Sequence, residues 1–260
     1  MKIAVTGKGG VGKTTLASAL ARAFSEDGNH VLAVDADPDA NLAQSLGIAR
    51  EEIEKIRPIA EMGDLIEERT GAKPGAPGSV FKLNPKVDDI PERFSYSHDG
   101  IKLLVMGKYK TGGAGCYCPE NALLKSLVRH LILKRDDVVI LDMEAGIEHL
   151  TRGTSGSVDA FIVVVEPGGR SVQTARQVKS LADDLGVRQV YVVGNKVRTE
   201  ADREFISANL PGMEVVGFMS YDPYVIDADL NGRDVYGNCP GLVAEIKAIK
   251  EKLAKRAQAA

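Results

Sequence analysis

Gly7-Lys8-Gly9-Gly10-Val11-Gly12-Lys13-Thr14 lies directly after the short β-branched run Ile3–Val5 and directly before a helix-forming stretch, residues 13–27. A GxxxxGK[ST] pattern between a strand and a helix reads as a P-loop, a turn whose backbone amides wrap phosphates. Its glycines let several N–H groups point inward, and the helix that follows adds the positive end of its dipole. Lys13 is placed to reach the β- and γ-phosphates, and the Thr14 hydroxyl to bind Mg²⁺. The expected nucleotide-binding stretch is therefore Gly7, Lys8, Gly9, Gly10, Val11, Gly12, Lys13, Thr14 and Thr15.

Outward from this loop the same rhythm repeats. Apolar runs at Val31–Val34, Ile101–Val105, Val138–Leu141, Phe161–Val165, Val190–Val193 and Val215–Phe218 alternate with helical stretches at 119–134, 171–184, 200–209 and 241–256. Most runs are apolar on both faces, as strands covered by helices on two sides must be. The expected fold class is α/β, a single doubly wound, mostly parallel sheet with helices on both faces, spanning residues 1–260 as one P-loop domain. Residues 70–100 interrupt the rhythm with Pro74, Pro77, Pro85 and Pro91, and read as an irregular surface excursion.

Composition narrows the function. The 260 residues have 33 basic against 36 acidic side chains, a net charge of −3, which gives no support to a nucleic-acid backbone as the main partner. Three cysteines form no disulfide framework and fit a reducing, cytoplasmic setting. The N-terminus lacks the apolar stretch of a signal peptide, and no window is long enough to span a membrane.

Two strands end in acids, where a parallel sheet presents ligands. Val138–Leu141 ends at Asp142, the Walker B arrangement, which holds Mg²⁺ through water. Val31–Val34 ends at Asp35, Asp37 and Asp39; Asp35 and Asp39 fit a functional site or merely solvated strand ends. At 195–198, Asn195-Lys196-Val197-Arg198 has an arginine where a guanine reader needs an aspartate. Asn195 is left to pair with adenine, which favours ATP over GTP.

A second chemistry sits at Gly112-Gly113-Ala114-Gly115-Cys116-Tyr117-Cys118-Pro119. Pro119 suits the first position of a helix, which puts Cys118 at or near the N-cap, where a thiol loses its proton more easily. Two thiolates one residue apart supply half of a metal shell. Ligands on one tetrahedral ion sit roughly 3.8 Å apart, within reach of a CxC pair, whereas cluster ligands sit further apart. One ion, Zn²⁺, Ni²⁺ or Cu(I), is preferred, with a redox pair or two plain thiols as the other readings. If nucleotide pairs two chains, two CxC units make a Cys₄ site.

Lys8 has no work inside its own P-loop. With it, the GKGGVGKTT segment resembles the deviant P-loop ATPases, among them MinD, ParA and the nitrogenase iron protein, in which this lysine crosses a dimer interface to the other subunit's nucleotide. VDADPDANLAQSLG, GAGCYCPE and LDMEAGIEHLTRGT narrow the resemblance to the CooC-type nickel-insertion ATPases, across nearly the whole chain. The resemblance implies Mg-dependent ATP hydrolysis to ADP, with Lys8, Lys13 and Asp37 catalytic. Asp37 would orient the attacking water in switch I, and the Gly146 N–H would sense the γ-phosphate in switch II. It implies Mg²⁺ on Thr14, Asp37 and Asp142, and Ni²⁺ (or Zn²⁺) on Cys116 and Cys118 across a homodimer. The implied client is carbon monoxide dehydrogenase or acetyl-CoA synthase. Glu144 has no assigned role.

Two alternatives belong beside this reading. A MinD-type membrane or partner regulator would use Leu242, Ile246, Ile249 and Leu253 on the last helix as a membrane-seeking face, a spacing that suits packing on the sheet equally well. A non-catalytic metal carrier would show no turnover.

Overall fold

The computed structural model describes residues 1–75, 80–108, 118–134, 137–144, 158–187, 189–231 and 233–258. The elements follow in the order β1 (Lys2–Gly7), α1 (Lys13–Glu26), β2 (Val31–Ala36), α2 (Leu42–Ser45), α3 (Arg50–Ile53), α4 (Gly63–Thr70), α5 (Ile90–Phe94), β3 (Tyr96–His98) and β4 (Ile101–Val105). Then come α6 (Pro119–Lys134), β5 (Val138–Met143), β6 (Ala160–Val165), α7 (Gly169–Leu185), β7 (Val190–Val197), α8 (Glu200–Asn209), β8 (Glu214–Ser220), α9 (Pro223–Asn231) and α10 (Pro240–Gln258).

All eight strands join one sheet in the order β3-β4-β2-β5-β1-β6-β7-β8. Every pairing is parallel except β3 with β4. Winding reverses at β1, with β2, β4 and β5 to one side and β6, β7 and β8 to the other, so the loops after β1 and its neighbours open onto a crevice.

Alternation of side chains within each strand builds two cores. Ile3 and Val5 point into a layer with Leu16, Leu20, Ile246 and Leu253 of α1 and α10. Ala4 points the other way, into a layer with Leu65, Leu123, Val172 and Ile206 of α4, α6, α7 and α8. With both faces covered, β1, β2, β5 and β6 are buried at every residue, whereas β8 at the sheet edge is only partly buried. Each fully buried Leu or Ile contributes roughly 1.5–3 kcal/mol, and Phe161, fully buried at mid-sheet, would cost about 3–5 kcal/mol on truncation to Ala.

The stretch 70–100 is more than a surface excursion. Val87 and Ile90 are buried in the core, and Tyr96–His98 pairs antiparallel with Ile101–Val105. Asp99 and Gly100, both at positive φ (45° and 79°), make the two-residue turn. Arg22 of α1 fixes that turn through a 2.8 Å ion pair to Asp99.

Candidate phosphate and metal site

The P-loop leaves β1 at Gly7 and enters α1 at Lys13. Gly12 is the N-cap, at φ 93°, and its carbonyl accepts the first helical hydrogen bond from Leu16 at 3.1 Å. No side chain caps this helix and no acid lies in its first turn, so its free N–H groups and dipole are open to an anion. Only glycine fits at Gly12, because a Cβ there would collide with the Asn195 amide. A cleft of about 490 Å³ opens over the loop. Its phosphate end is lined by Gly9, Gly10, Lys13, Thr14, Thr15 and Asp37. Its far end is lined by Tyr221, Asp222, Val225 and Arg233 beyond β8.

Two buried carboxylates meet below the loop. Asp35 and Asp142 stand side by side at the tips of β2 and β5, and both are fully buried. Asp35 is thus not a solvated strand end: it accepts the Leu42 N–H at 2.9 Å and the Asp37 N–H at 3.3 Å, which pins the turn after β2. Burial pushes its carboxyl up to about 6, and those two N–H groups pull against the rise. Asp142 is pushed further, to about 7; burial is again the main cause, opposed by the Thr14 hydroxyl and reinforced by the Asp35 charge. The Thr14 hydroxyl is close, yet neither Asp142 oxygen has a donor at hydrogen-bonding geometry among the described residues. Buried acceptors left this way are rare, and these sit where a cation between Thr14 and a triphosphate would lie. The donor set fits Mg²⁺.

Asp37 faces Lys13 at 3.8 Å across the mouth of this pocket. Its other oxygen accepts the Asp39 N–H at 3.0 Å, which sets the direction of the carboxylate. Asp39 itself is exposed, 3.9 Å from Lys108. The Thr6 hydroxyl, buried in β1, donates to the Glu144 carbonyl at 2.8 Å and so ties the end of the Walker B strand to the strand before the P-loop. Gly146 lies outside the described residues.

Asn195, read from sequence as a base contact, is engaged with the chain's own backbone. Its amide donates to the Val11 carbonyl and accepts from the Lys196 N–H, both at 2.7 Å. Its place in the cleft stands, but in this conformation it braces the P-loop. The guanidinium of Arg198 lies 4.1 Å from the centroid of the Tyr221 ring, and Tyr221 lines the cleft. Sequence reasoning missed Tyr221, Asp222 and Val225. The available signal was their position just past the carboxyl end of a parallel strand.

Cys118 sits immediately before α6, half-buried, and its carbonyl accepts the helix's first hydrogen bond from Ala122 at 3.1 Å. That is the N-cap position, where the dipole favours a thiolate. Cys116 lies outside the described residues, among which no three His, Cys, Asp or Glu side chains gather to hold a metal. Cys239 is buried elsewhere, its thiol 2.9 Å from Asp222; burial and that carboxylate both raise its pKa.

Known proteins resemble this chain in sequence and in fold. The family model for the CobQ/CobB/MinD/ParA nucleotide binding domain matches residues 2–235. The carbon monoxide dehydrogenase accessory protein CooC of Rhodospirillum rubrum is 46% identical over 256 residues, 98% of this chain and 97% of that one. An uncharacterized ATP-binding protein of Methanocaldococcus jannaschii is 50% identical over 238 residues, 90% of this chain and 91% of its own. Among solved structures, MinD of Aquifex aeolicus superposes with a TM-score of 0.68 at 21% identity, covering 98% of both chains. A ParA family ATPase of Chlorobium tepidum gives 0.68 at 17%, covering 96% of this chain and 97% of its own.

Proposed function

Because the chain belongs to the CobQ/CobB/MinD/ParA nucleotide-binding family and is 46% identical to a CooC accessory protein, we propose that it is a cytoplasmic ATP-driven metal-insertion factor. Its cargo is nickel, and its client is a nickel-containing enzyme such as carbon monoxide dehydrogenase or acetyl-CoA synthase. The observation that supports this most is Cys118 at the N-cap of α6, two residues after Cys116, in a chain that also bears Lys8 in its P-loop.

ATP lies along the cleft, its phosphates wrapped by the amides of residues 7–15 and faced by Lys13. Thr14, Asp142 and Asp37 would hold Mg²⁺, which would supply neutralisation of the phosphate charge. Asp37 orients water for in-line attack on the γ-phosphorus; the bond to the β–γ bridging oxygen breaks, leaving ADP and phosphate. Nucleotide closes a two-fold homodimer in which Lys8 of each subunit reaches the other's γ-phosphate. A cation of this kind is worth roughly 10³–10⁵ in rate. Closure brings two CxC pairs together as a Cys₄ site for Ni²⁺, with Zn²⁺ able to take the same ligands. Hydrolysis frees the Gly146 N–H from the γ-phosphate, and switch II separates the thiols. Arg198 in place of an aspartate favours adenine over guanine.

Lys8→Ala should abolish ATP-driven dimerisation in sedimentation while ADP still binds. Unchanged sedimentation of that variant with Mg-ATP would count against the scheme. The membrane-regulator reading loses its main support. Leu242, Ile246, Ile249 and Leu253 are all buried on α1 and the sheet, and no described helix is long and apolar enough to cross a membrane.

A further inference from the structure

Lys8 does not float free over its loop. Glu166, the first residue past β6, directs one carboxylate oxygen to the Lys8 ammonium at 3.7 Å and the other to Lys196 at 3.1 Å. Strands β1, β6 and β7 are consecutive in the sheet, so their ends deliver these three side chains to one spot. Lys196 also donates to the Gly10 carbonyl at 2.7 Å. Its backbone has a left-handed φ of 57°, a costly conformation for a lysine that turns the residue back over the P-loop. The Glu166 backbone is itself held, its N–H donating to the Ser171 hydroxyl at 3.1 Å at the start of α7. The carboxylate is therefore fixed from behind and faces Lys8 from its own subunit.

We propose that Glu166 is a positioning residue that parks Lys8 in cis in the unpaired subunit, so that freeing this lysine is a built-in step of dimer closure. The inference rests on Lys8 acting across the dimer, as argued above. Lys8 and Glu166 keep 38% and 27% of their side-chain surface, so the pair is solvent-screened and weak. The parking is a bias that a triphosphate overcomes, and it discourages pairing without nucleotide. Lys196 matters to the geometry, because it takes the second oxygen and leaves only one for Lys8.

The test is sedimentation with Mg-ATP for the wild type, Glu166→Gln and Lys8→Ala, with ADP affinity measured on each. Glu166→Gln should dimerise about two- to fivefold more tightly than wild type with ADP affinity unchanged, the size expected for one exposed ion pair. That difference should shrink as salt rises from about 0.1 M to 1 M, where the screening length falls to roughly 3 Å. Weaker or unchanged dimerisation of Glu166→Gln, while Lys8→Ala has lost it, would overturn the parking and leave the trans role of Lys8 standing. A fall in ADP affinity in Glu166→Gln would assign Glu166 to holding Lys196 and the loop instead. Normal ATP-driven dimerisation of Lys8→Ala would overturn both readings.

Discussion

Asp35 and Asp142 occupy matching positions on adjacent strands, equally buried, yet the chain treats them differently. Asp35 has two backbone N–H groups pointed at it, and Asp142 has no hydrogen bond among the described residues. The first is a fastener, closing the turn that aims Asp37. The second keeps its desolvation unrelieved, which is why we propose it as the Mg²⁺ ligand. Burial alone does not separate a structural carboxylate from a functional one; the accounting of donors does.

Substitution at the two positions should therefore produce opposite profiles. Asp142→Ala should lower Mg-dependent ATP hydrolysis by about 10²–10³-fold, the usual loss on deleting one preorganised charge-stabilising group. It should leave apo stability at pH 8 unchanged or raised. Asp35→Ala should do the reverse to stability, costing about 2–4 kcal/mol in denaturant unfolding, because it orphans two N–H groups and opens a void. Equal destabilisation by both would break the contrast.

Titration offers a second check. Both acids are raised in the folded state, so between about pH 4 and pH 7 the native chain holds more protons than the unfolded one. Stability of the nucleotide-free protein should fall as pH rises through that window, by an amount on the order of a few kcal/mol, and fall less in Asp142→Asn. A flat profile would mean that Asp142 is already compensated. The smallest effect concerns the P-loop itself. Asn195→Ala removes the neutral hydrogen bonds to the Val11 carbonyl and from the Lys196 N–H and should weaken ADP binding by about three- to tenfold in calorimetry, with no change in Mg²⁺ dependence.

The sheet was legible because its strands are short, β-branched and buried on both faces, a pattern that alternating helices do not blur. The P-loop was legible because glycine spacing is itself the chemistry. The β3–β4 hairpin escaped because prolines dominate residues 70–100, although Asp99-Gly100, a favoured two-residue turn, marked it. Glu166 escaped for a different reason: nothing local distinguishes it, and only the adjacency of β1, β6 and β7 puts it beside Lys8. The bracing of the P-loop by Asn195 was equally invisible, since 184 residues of sequence separate the amide from Val11.

Counting nickel per chain while following mass by sedimentation, with Mg-ATP and with Mg-ADP, addresses the coupling of the two sites most directly. The account predicts that Mg-ATP gives a dimer holding one Ni²⁺ per two chains, lost when Cys116 and Cys118 are both changed to Ser. One tightly held ion on each monomeric chain, indifferent to nucleotide, would contradict it.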